Sequence, residues 1–330
     1  MKRAPEDWRP TASREVLARR ARMLARARRF FADRHVLEVD TPLVVNAPVT
    51  DVHIHSARVA LTGSAGFDPE SDDESYFLHT SPEYAMKRLL AAGSGDIYQI
   101  AHVVRGFERG RLHNPEFTLI EWYRTGFSLE QLMSEVEALV CELIETPARP
   151  GQCLSYREAF RRHLQFDPFA VTAAELAEVA RGFGFAADPS TPRDELLEFL
   201  MGTRVGPKLG FESLTFICGY PASQAALARL DPSDPHTALR FELYCDGVEL
   251  ANGFHELAAA AEQRVRFETD LAERRRLGLP SYPLDERLLA ALAAGLPDCA
   301  GVALGFDRLM MIATGAHSIE QVLPFPTERA

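Results

Sequence analysis

The stretch that decides the fold is RGFERGRLHNPEFTLIEWYR, residues 105–124. Its second half, Phe117 to Tyr123, predicts a β-strand, because bulky, β-branched and aromatic residues stand there in partial alternation. Glu121 nevertheless falls within this strand, behind a turn that is dense in charged residues. A buried carboxylate costs several kcal/mol unless a donor or a cation pairs with it. The stretch therefore predicts a strand whose carboxylate has a partner.

The segments around this stretch predict a sheet whose strands are joined by hairpins and turns. Strands are predicted at DIYQIAHVVR (96–105), SLTFICGYP (213–221) and CAGVALGF (299–306), and a hairpin at ALRFELYCDGVELANGF (238–254) around Asp246-Gly247. Amphipathic patterns predict helices at about 13–35, 81–93, 128–145, 255–278 and 285–295. Together they favour an α+β fold, a mainly antiparallel sheet flanked by helices, over a doubly wound parallel one.

The chain is expected to form one domain over residues 1–330, with an interruption in its second half. Residues 63–75 are rich in Gly, Ser and Asp and predict an exposed turn, and TPARPGQ (146–152) breaks the pattern. Residues 153–212 then predict a helical insertion, in which TAAELAEVARGFGF (172–185) and TPRDELLEFLMGTRV (191–205) are capped amphipathic helices.

Composition argues against several classes of protein. The 330 residues are 46% hydrophobic and 25% charged, as in ordinary globular proteins. The first ten residues lack the apolar run of a secretory signal, and no window is apolar enough to predict a membrane span. The five cysteines are widely spaced without a CxxC pair, which argues against a disulfide framework or a thiolate zinc site and fits a reducing cytoplasm.

The charge of the chain argues against general affinity for nucleic acid, because the net charge is −11 and phosphate binding depends on Lys and Arg. Residues 14–34 are a local exception, with eight arginines against Glu15 and Asp33. The favoured interpretation is the solvated face of an amphipathic helix, and the alternative is a docking surface for an acidic partner.

Three separate elements carry residues suited to phosphate and metal chemistry. The first is the turn ahead of Phe117, which holds a dense group of charged and polar side chains: Arg105, Glu108, Arg109, Arg111, His113 and Asn114. Arginine makes bidentate, permanently charged contacts to phosphate, so this density favours a phosphate grip over a solvated turn.

The second and third elements lie in the predicted hairpin and near the C-terminus. Glu242, Glu249 and Glu256 are spaced by seven residues. If Glu242 and Glu249 lie opposite each other, they can share a Mg²⁺ ion, which takes oxygen ligands; exposed strand carboxylates are the alternative. In GVALGFDRLMM (301–311), Gly301 and Gly305 would let a ligand approach the backbone ahead of Arg308, although the pattern is not GxGxxG and glycines needed for packing are the alternative.

Together these elements resemble the signature motifs of class II aminoacyl-tRNA synthetases. RHVLEVDTPLVV (34–45) resembles motif 1, VVRGFERGRLHNPEFTLIEWYR (103–124) motif 2 and GVALGFDRLMMIATG (301–315) motif 3. SPEYAMKRLL (81–90) and VELANGFHEL (248–257) are of the lysyl type, and the resemblance covers about residues 13–323. Lysyl-tRNA synthetases carry an N-terminal anticodon-binding domain, for which no room is expected before the motif 1 helix. With PASQAALA (221–228), the truncated pattern is similar to the elongation factor P–(R)-β-lysine ligase family.

This resemblance implies an ATP-dependent, AMP-forming ligase. Members of the family activate (R)-β-lysine as an acyl-adenylate and join it to the ε-amine of one lysine of elongation factor P, with ATP and Mg²⁺ as cofactors. The resemblance also implies a homodimer through motif 1, and the missing domain and the acidic charge imply no stable tRNA binding. The alternatives are an enzyme that activates α-lysine for another acceptor, such as a tRNA or a small molecule, and a catalytically silent paralogue that only binds lysine or a partner.

The resemblance also implies residue roles. Arg105 and Arg308 would be catalytic: Arg105 would bind the substrate carboxylate and the α-phosphate, and Arg308 would hold the outer phosphates with His113. Phe117 would stack on adenine, and Glu242 and Glu249 would hold Mg²⁺. The rest of the implied ATP site consists of Gly106, Phe107, Glu108, Asn114, Leu250 and Gly305, together with Glu249.

The implied lysine site draws on four parts of the chain. Glu83, in the segment Ser81, Pro82 and Glu83, would bind the amino group near the substrate carboxylate. The far ammonium would be bound by Glu121, Tyr123 and Glu256, and Ala303 would lie at the pocket floor.

Two positions depart from the lysyl-tRNA synthetase pattern. The glutamate that usually follows the motif 2 arginine by two residues is Phe107 here, so either Glu108 or backbone groups would contact adenine. The middle glycine of motif 3 is Ala303, whose methyl group would reshape the space around the substrate backbone. That change is consistent with an amino group displaced by one carbon.

Overall fold

The structure is a computed structural model, which describes residues 8–60, 76–145, 151–188 and 190–330. The turn predicted at 63–75 lies outside these residues, as do residues 146–150 of the predicted break at 146–152. Within the described ranges, none of the helices combines the length and the apolar character that crossing a membrane requires.

The strands of the described chain form two sheets. Their bounds are β1 Leu37–Glu38, β2 Val44–Val45, β3 Arg58–Val59, β4 Tyr76–Leu78, β5 Ile97–Val104, β6 Glu116–Thr125, β7 Gln152–Ser155, β8 Thr215–Pro221, β9 Leu230–Asp231, β10 Asp234–Cys245, β11 Val248–His255 and β12 Cys299–Gly305. The main sheet has the order β1-β5-β6-β12-β11-β10-β8-β7, with β9 paired to β10. A small second sheet has the order β2-β4-β3.

The strand directions confirm the predicted α+β fold with a mainly antiparallel sheet. Every neighbouring pair from β5 to β8 in the order of the main sheet is antiparallel. The pairs β1–β5 and β7–β8, at the two edges, are parallel. The predicted hairpin is confirmed as β10 and β11, and both turn residues have positive φ, 48° at Asp246 and 75° at Gly247, as a tight two-residue hairpin requires.

Helices cover the sheet and supply its cores. Their bounds are α1 Arg14–Ala32, α2 Glu83–Ala91, α3 Leu129–Ile144, α4 Tyr156–Leu164, α5 Ala173–Gly182, α6 Arg193–Leu200, α7 Ala260–Arg276, α8 Glu286–Gly295 and α9 Phe306–Thr314. The largest core joins α1, α3 and α9 to the sheet and includes Phe31 and Trp122. A second core joins α2, α7 and α8 to Ile97 and Tyr123.

The helices of the predicted insertion pack directly on the main sheet. Helices α4, α5 and α6 share a core with Ile217 of β8 and Tyr244 of β10. Strand β7, just ahead of α4, is an edge strand that pairs with β8. This segment is therefore continuous with the main sheet in both hydrogen bonding and packing.

The ends of several predicted helices differ from the structure. The largest difference is at α7, which begins at Ala260 instead of residue 255, because β11 continues through His255, which pairs with Ala300. Helix α1 ends at Ala32 instead of residue 35, because His35 adopts a left-handed conformation with φ of 57°. Helix α2 begins after Pro82, and Ser81 accepts a hydrogen bond from the Glu83 amide (3.0 Å) from outside the helix. Helix α6 follows Pro192 and has no side-chain cap, so only α5 of the two insertion helices has the predicted cap, from Thr172.

The arginine-rich helix α1 directs several of its cations inward or along the surface of its own chain. Of the eight arginines of residues 14–34, four form ion pairs within the described chain: Arg20 with Asp307, Arg26 with Glu145, Arg28 with Glu38 and, just after the helix, Arg34 with Glu135. Half of the arginines of residues 14–34 therefore contact carboxylates of their own chain, which supports the amphipathic-helix interpretation.

Candidate active site

Strand β6 explains why a carboxylate stands within the 105–124 stretch. Ile120 and Trp122 point into the core, where both are fully buried. Leu119, Glu121 and Tyr123 point to the opposite face and line an open cavity. Because side chains alternate along a strand, one sequence supplies both a core wall and the wall of a site.

The cavity gathers most of the predicted site residues. It has an empty volume of about 1190 Å³, including its open mouth, and is walled mainly by β6, β11 and β12. The predicted residues on its wall are Ser81, Glu83, Arg105, Glu108, His113, Asn114, Phe117, Glu121, Tyr123, Glu249, Leu250, Glu256, Ala303, Gly305 and Arg308. The predicted residues outside the wall are Pro82, Gly106, Phe107 and Glu242, together with Arg109 and Arg111 of the predicted phosphate grip.

Arg308, in the first turn of α9, joins three elements at one end of the cavity. Its guanidinium donates to the Glu249 carbonyl oxygen (2.9 Å) and to His113 Nε2 (2.6 Å), and it lies 3.5 Å from the Glu249 carboxylate. Burial and the positive charge of Arg308 lower the pKa of His113, so the imidazole is neutral near pH 7 and can accept that hydrogen bond. This end holds the Arg308 guanidinium in a preformed position, where it can contact an anion beside the Glu249 carboxylate.

Arg105 stands between this end and the segment that carries Ser81. Its Nε donates to the Thr80 carbonyl oxygen at 3.2 Å, and its guanidinium lies 4.0 Å from Glu108. The guanidinium carbon is also 5.2 Å from the centre of the Phe117 ring. The side chain is therefore held from several sides while it remains on the cavity wall.

Two buried polar side chains fix the neighbourhood of these cations. Asp307 accepts from the Thr118 amide at 2.7 Å and pairs with Arg20, which ties the start of α9 to β6 and α1. Asn114 binds the backbone and the side chain of Thr327 (both 3.1 Å), so its amide anchors the C-terminal segment. The family resemblance implied a role for Asn114 in ATP binding, whereas its contact with Thr327 joins residues that are far apart in sequence.

The turn after Arg105 places Phe107 outside the cavity and Glu108 inside it. The Gly106 amide donates to the His55 carbonyl oxygen at 2.7 Å, and a Cβ at Gly106 would lie only 3.2 Å from that oxygen. Phe107 has a left-handed φ of 65°, and its ring is 88% exposed, with an edge contact to His55. Glu108 lies in the cavity wall. Of the two side chains, only that of Glu108 can therefore reach a ligand in this cavity.

Glu121 lies at the other end of the cavity and is almost fully buried. It accepts from Ser81 Oγ (2.7 Å) and from Tyr123 Oη (2.8 Å), so the partners predicted for this carboxylate are two neutral hydroxyl groups. Burial, followed by the charge of Glu83, raises the pKa of Glu121 to about 8. A bound ammonium group would favour the ionised form of this side chain.

Lys87 is the residue of this end that sequence analysis missed. Its ammonium lies 2.7 Å from Glu83 and 2.6 Å from Glu256, and its side chain is 1% exposed. Burial lowers the pKa of Lys87, but the two carboxylates outweigh burial and hold that pKa above its usual value. Burial raises the pKa of Glu256 to about 7 despite Lys87. The spacing of four residues between Glu83 and Lys87 was the available signal, because it places both on one helix face.

The prediction that Glu242 and Glu249 lie opposite each other is wrong. Glu249 lies opposite Tyr244, as the two-residue turn at Asp246-Gly247 requires. The irregular pairing between Leu243 and Tyr244 then places Glu242 opposite Asn252. Both carboxylate oxygens of Glu242 already accept hydrogen bonds, from Arg240 (2.6 Å) and Tyr244 (2.7 Å).

Glu249 alone of this pair lines the cavity. Burial and the nearby charge of Glu242 raise its pKa, so the two side chains remain electrostatically close. Within the described chain, no group of three or more His, Cys, Asp or Glu side chains is placed to hold a metal ion. Of the two predicted metal ligands, Glu249 is therefore the one whose carboxylate oxygens can reach a metal ion bound to a ligand in the cavity.

The glycines of β12 serve the site differently from one another. A Cβ at Gly301 would lie 2.3 Å from the Tyr123 ring and 2.4 Å from Glu256 Oε1, so this glycine makes room for two site side chains and not for a ligand. A Cβ at Gly305 would have its nearest neighbour, the Leu250 carbonyl oxygen, at 3.6 Å, so the backbone is open there beside Arg308. Ala303 lies on the wall between its strand partners Glu121 and Asn252.

Further wall residues carried no predicted role. They include Asp51, Ile54, Thr80, Ala226, Leu227, Asn252 and Phe254. Ala226 and Leu227 belong to PASQAALA, and Asn252 and Phe254 to VELANGFHEL, so the family-type segments were the available signal for them. Asp51 and Ile54 lie in a segment without such a motif.

Comparisons with known proteins agree with this geometry. A family model described as tRNA synthetases class II (D, K and N) matches residues 2–329. A protein of Klebsiella pneumoniae subsp. pneumoniae named elongation factor P–(R)-β-lysine ligase is 48% identical over 325 residues, which cover 98% of each chain. Proteins of that name from Proteus mirabilis and Salmonella paratyphi B are 49% and 48% identical, again over 98% of each chain. The chain belongs to the class II tRNA synthetases of the D, K and N type and, within them, to the family of the elongation factor P–(R)-β-lysine ligases.

Proposed function

We propose that this protein is an ATP-dependent, AMP-forming ligase that activates (R)-β-lysine and transfers it to the ε-amino group of a lysine of elongation factor P. The observation that carries the proposal is the polarity of one cavity. Arg308 lies at one end, the carboxyl groups of Glu83, Glu121 and Glu256 lie at the other, and Arg105 stands between them. ATP is a polyanion and a diamino acid carries ammonium groups, so the two ends match the two substrates.

In the first step, a carboxylate oxygen of (R)-β-lysine attacks the α-phosphorus of ATP in line, and the bond to pyrophosphate breaks. Two anionic groups must approach each other, and Arg105 is placed to neutralise both. Arg308 would hold the outer phosphates, and negative charge develops on them as pyrophosphate leaves. The protein supplies position and charge, and none of its side chains acts as a nucleophile in this scheme.

In the second step, the ε-amine of the acceptor lysine attacks the carbonyl carbon of the acyl-adenylate. An amide bond forms, the bond between the acyl carbon and the phosphate oxygen breaks, and AMP leaves with its electron pair. The attacking amine releases one proton to solvent. The open mouth of the cavity supports access for a lysine side chain of another protein.

We propose further that Mg²⁺ accompanies ATP and that Glu249 holds it. When bound, Mg²⁺ would neutralise phosphate charge, and it keeps most of its ligands as phosphate oxygens and water, so one carboxylate from the protein is sufficient. Glu242 would act on this site through its charge, because its oxygens are engaged by Arg240 and Tyr244. We assign the adenine contact to Glu108 together with the Phe117 ring.

The assembly and the setting are part of the proposal. Leu37 and Leu43, in the motif 1 segment, are 56% and 42% exposed and offer apolar surface for a homodimer. The net charge of −11 favours a protein acceptor over stable tRNA binding. Among the described residues, no two cysteines are joined by a disulfide, which fits a reducing cytoplasm.

The test is amino-acid-dependent ATP–pyrophosphate exchange with (R)-β-lysine, α-lysine and no amino acid. The proposal predicts exchange that depends on (R)-β-lysine and is weaker with α-lysine. Exchange that prefers α-lysine would instead support an enzyme with another acceptor. Absence of exchange with every lysine isomer would leave a lysine-binding paralogue.

A further inference from the structure

Lys87 lies behind the substrate end of the cavity and is not part of its wall. It follows Glu83 by one turn of α2, and its side chain is 1% exposed. Glu83 and Glu256 do line the cavity, so the lysine contacts the two carboxylates from the protein side. A ligand in the cavity would meet carboxylates that are already held by this cation.

The bridge through Lys87 sets the distance between the carboxylates of Glu83 and Glu256, which belong to separate elements of the fold. Glu83 opens α2, whereas Glu256 follows β11, far away in sequence. Both contact one ammonium, at 2.7 and 2.6 Å, so the contacted oxygens cannot lie farther apart than these two distances added together. On the other side, Gly301 leaves no space beside Glu256 Oε1, which would lie 2.4 Å from a Cβ there.

The bridge also sets the charge of this end. Glu83, Glu121 and Glu256 are three carboxylic acids, and Lys87 is the cation in contact with two of them. Within the described ranges, the hydrogen bonds of Glu121 come from the hydroxyl groups of Ser81 and Tyr123. With every group ionised, the end carries two excess negative charges, which two ammonium groups neutralise. (R)-β-lysine carries two ammonium groups, on its third and sixth carbons.

We propose that Lys87 is a positioning and specificity-determining residue: it fixes both the spacing and the net charge of the carboxylates that receive the two ammonium groups of the substrate. It touches neither substrate nor ATP. The inference rests on the proposed function, because it takes the substrate to be a diamino acid. Its consequence is that Lys87 governs which diamino acid binds, and that ATP binding is independent of it.

The experiment uses the full-length protein and three ligands that differ in their ammonium groups. (R)-β-lysine and α-lysine each have two, at different spacing, and 6-aminohexanoate has one. Their dissociation constants are measured by calorimetry for the parent, Lys87→Met and Lys87→Arg, and KM for ATP is measured by pyrophosphate exchange. Arg88→Met is the matched control, because Arg88 is exposed on the same helix.

Lys87→Met removes the cation, so Glu83 and Glu256 repel each other and separate. We expect (R)-β-lysine to bind about 10–100-fold more weakly, as when one partner of a buried charge pair is truncated. We expect 6-aminohexanoate to lose less than about 3-fold, because it lacks one of the two ammonium groups. Lys87→Arg keeps the charge but changes the spacing, so discrimination between α- and β-lysine should fall while KM for ATP stays unchanged.

Equal losses for both ligands in Lys87→Met, or a parallel rise in KM for ATP, would mean a purely structural role and overturn the proposal. If Lys87→Met does not fold, the Arg variant decides: unchanged discrimination between the isomers refutes the proposal. Failure of the proposed function is separate, since it would show as absent exchange in the parent protein. If the parent protein catalyses exchange and the variants keep the parent's ratios of dissociation constants for the three ligands, only the role of Lys87 is refuted.

Discussion

The two ends of the cavity carry opposite charges and differ in how deeply their charged side chains are buried. Arg308, at the ATP end, and Arg105, between the two ends, have side chains that are 21% and 25% exposed. At the lysine end, Glu121 and Glu256 are each only 2% exposed. Arginine keeps its charge at any ordinary pH, whereas burial raises the pKa of Glu121 to about 8.

This difference in burial determines whether each end is charged before a ligand binds. The ATP end is charged before any ligand arrives and remains in contact with water. The lysine end has lost its hydration, so its full negative charge depends on pH and on the ammonium groups of the ligand. Changes at the two ends should therefore separate in their effects on ATP, on lysine and on stability.

The largest effect is expected from Arg105, which stands between the two ends. Arg105→Ala should lower kcat/KM of lysine-dependent pyrophosphate exchange by about 10³-fold, because charge in the transition state loses its stabilising donor. Arg109→Ala is the control, since Arg109 lies in the same turn but is exposed and pairs with Glu328. Comparable losses in the two variants would contradict the role given to Arg105.

The next effect should be confined to the lysine end. Glu121→Gln removes a charge from the ammonium site, so KM for (R)-β-lysine should rise about 10²-fold while KM for ATP changes little. Glu116→Gln, an exposed carboxylate on the same strand, should change neither. Equal rises in both KM values for Glu121→Gln would refute an ammonium-binding role.

A smaller effect is expected at Ala303, beside Glu121 on the wall. Removing its methyl group in Ala303→Gly should shift the ratio of α-lysine to (R)-β-lysine use toward α-lysine by about 10-fold, the scale of one methyl group in a pocket. The ratio of kcat/KM for the two isomers in pyrophosphate exchange measures it. A ratio that stays at the parent value would assign the isomer preference elsewhere.

The smallest effect concerns stability without ligand. The pKa of Glu121 is raised from 4.5 to about 8, so between these values the unfolded chain has released a proton that the folded protein still holds. Stability therefore falls as pH rises through this window, and the loss is complete above about pH 8. Glu121→Gln should unfold a few degrees above the parent at pH 9 and show no gain at pH 5 in thermal scans. The same gain at both pH values would contradict this origin.

Local patterns predicted much of the fold and of the ATP end. The hairpin of β10 and β11 and the strand β6 follow from residues that are neighbours in sequence, and the signature motifs place Arg105 and Arg308 together. What was missed depends on distant or irregular pairing. Glu256 meets Lys87 only in the fold. The register of the hairpin, with its irregularity between Leu243 and Tyr244, places Tyr244 opposite Glu249 and Asn252 opposite Glu242.

The orientation of Phe107 shows the same limit at a single residue. Phe107 occupies the place of the usual glutamate, two residues after Arg105, so the adenine contact was expected from Glu108 or from backbone groups. The left-handed φ of 65° at Phe107 turns its ring outward. Motif spacing gives the position of a residue along the chain, whereas a backbone conformation that bulky side chains rarely adopt decides where its side chain lies. Glu108 takes the inward position as a result.

The most direct test of the central claim is the intact mass of elongation factor P after incubation with this protein and ATP. One cavity that joins an ATP site to a site for (R)-β-lysine predicts a mass increase of one lysyl group with (R)-β-lysine, much less with α-lysine, and none with the Arg105→Ala protein. No added mass with either isomer, or equal addition with both, would contradict the account.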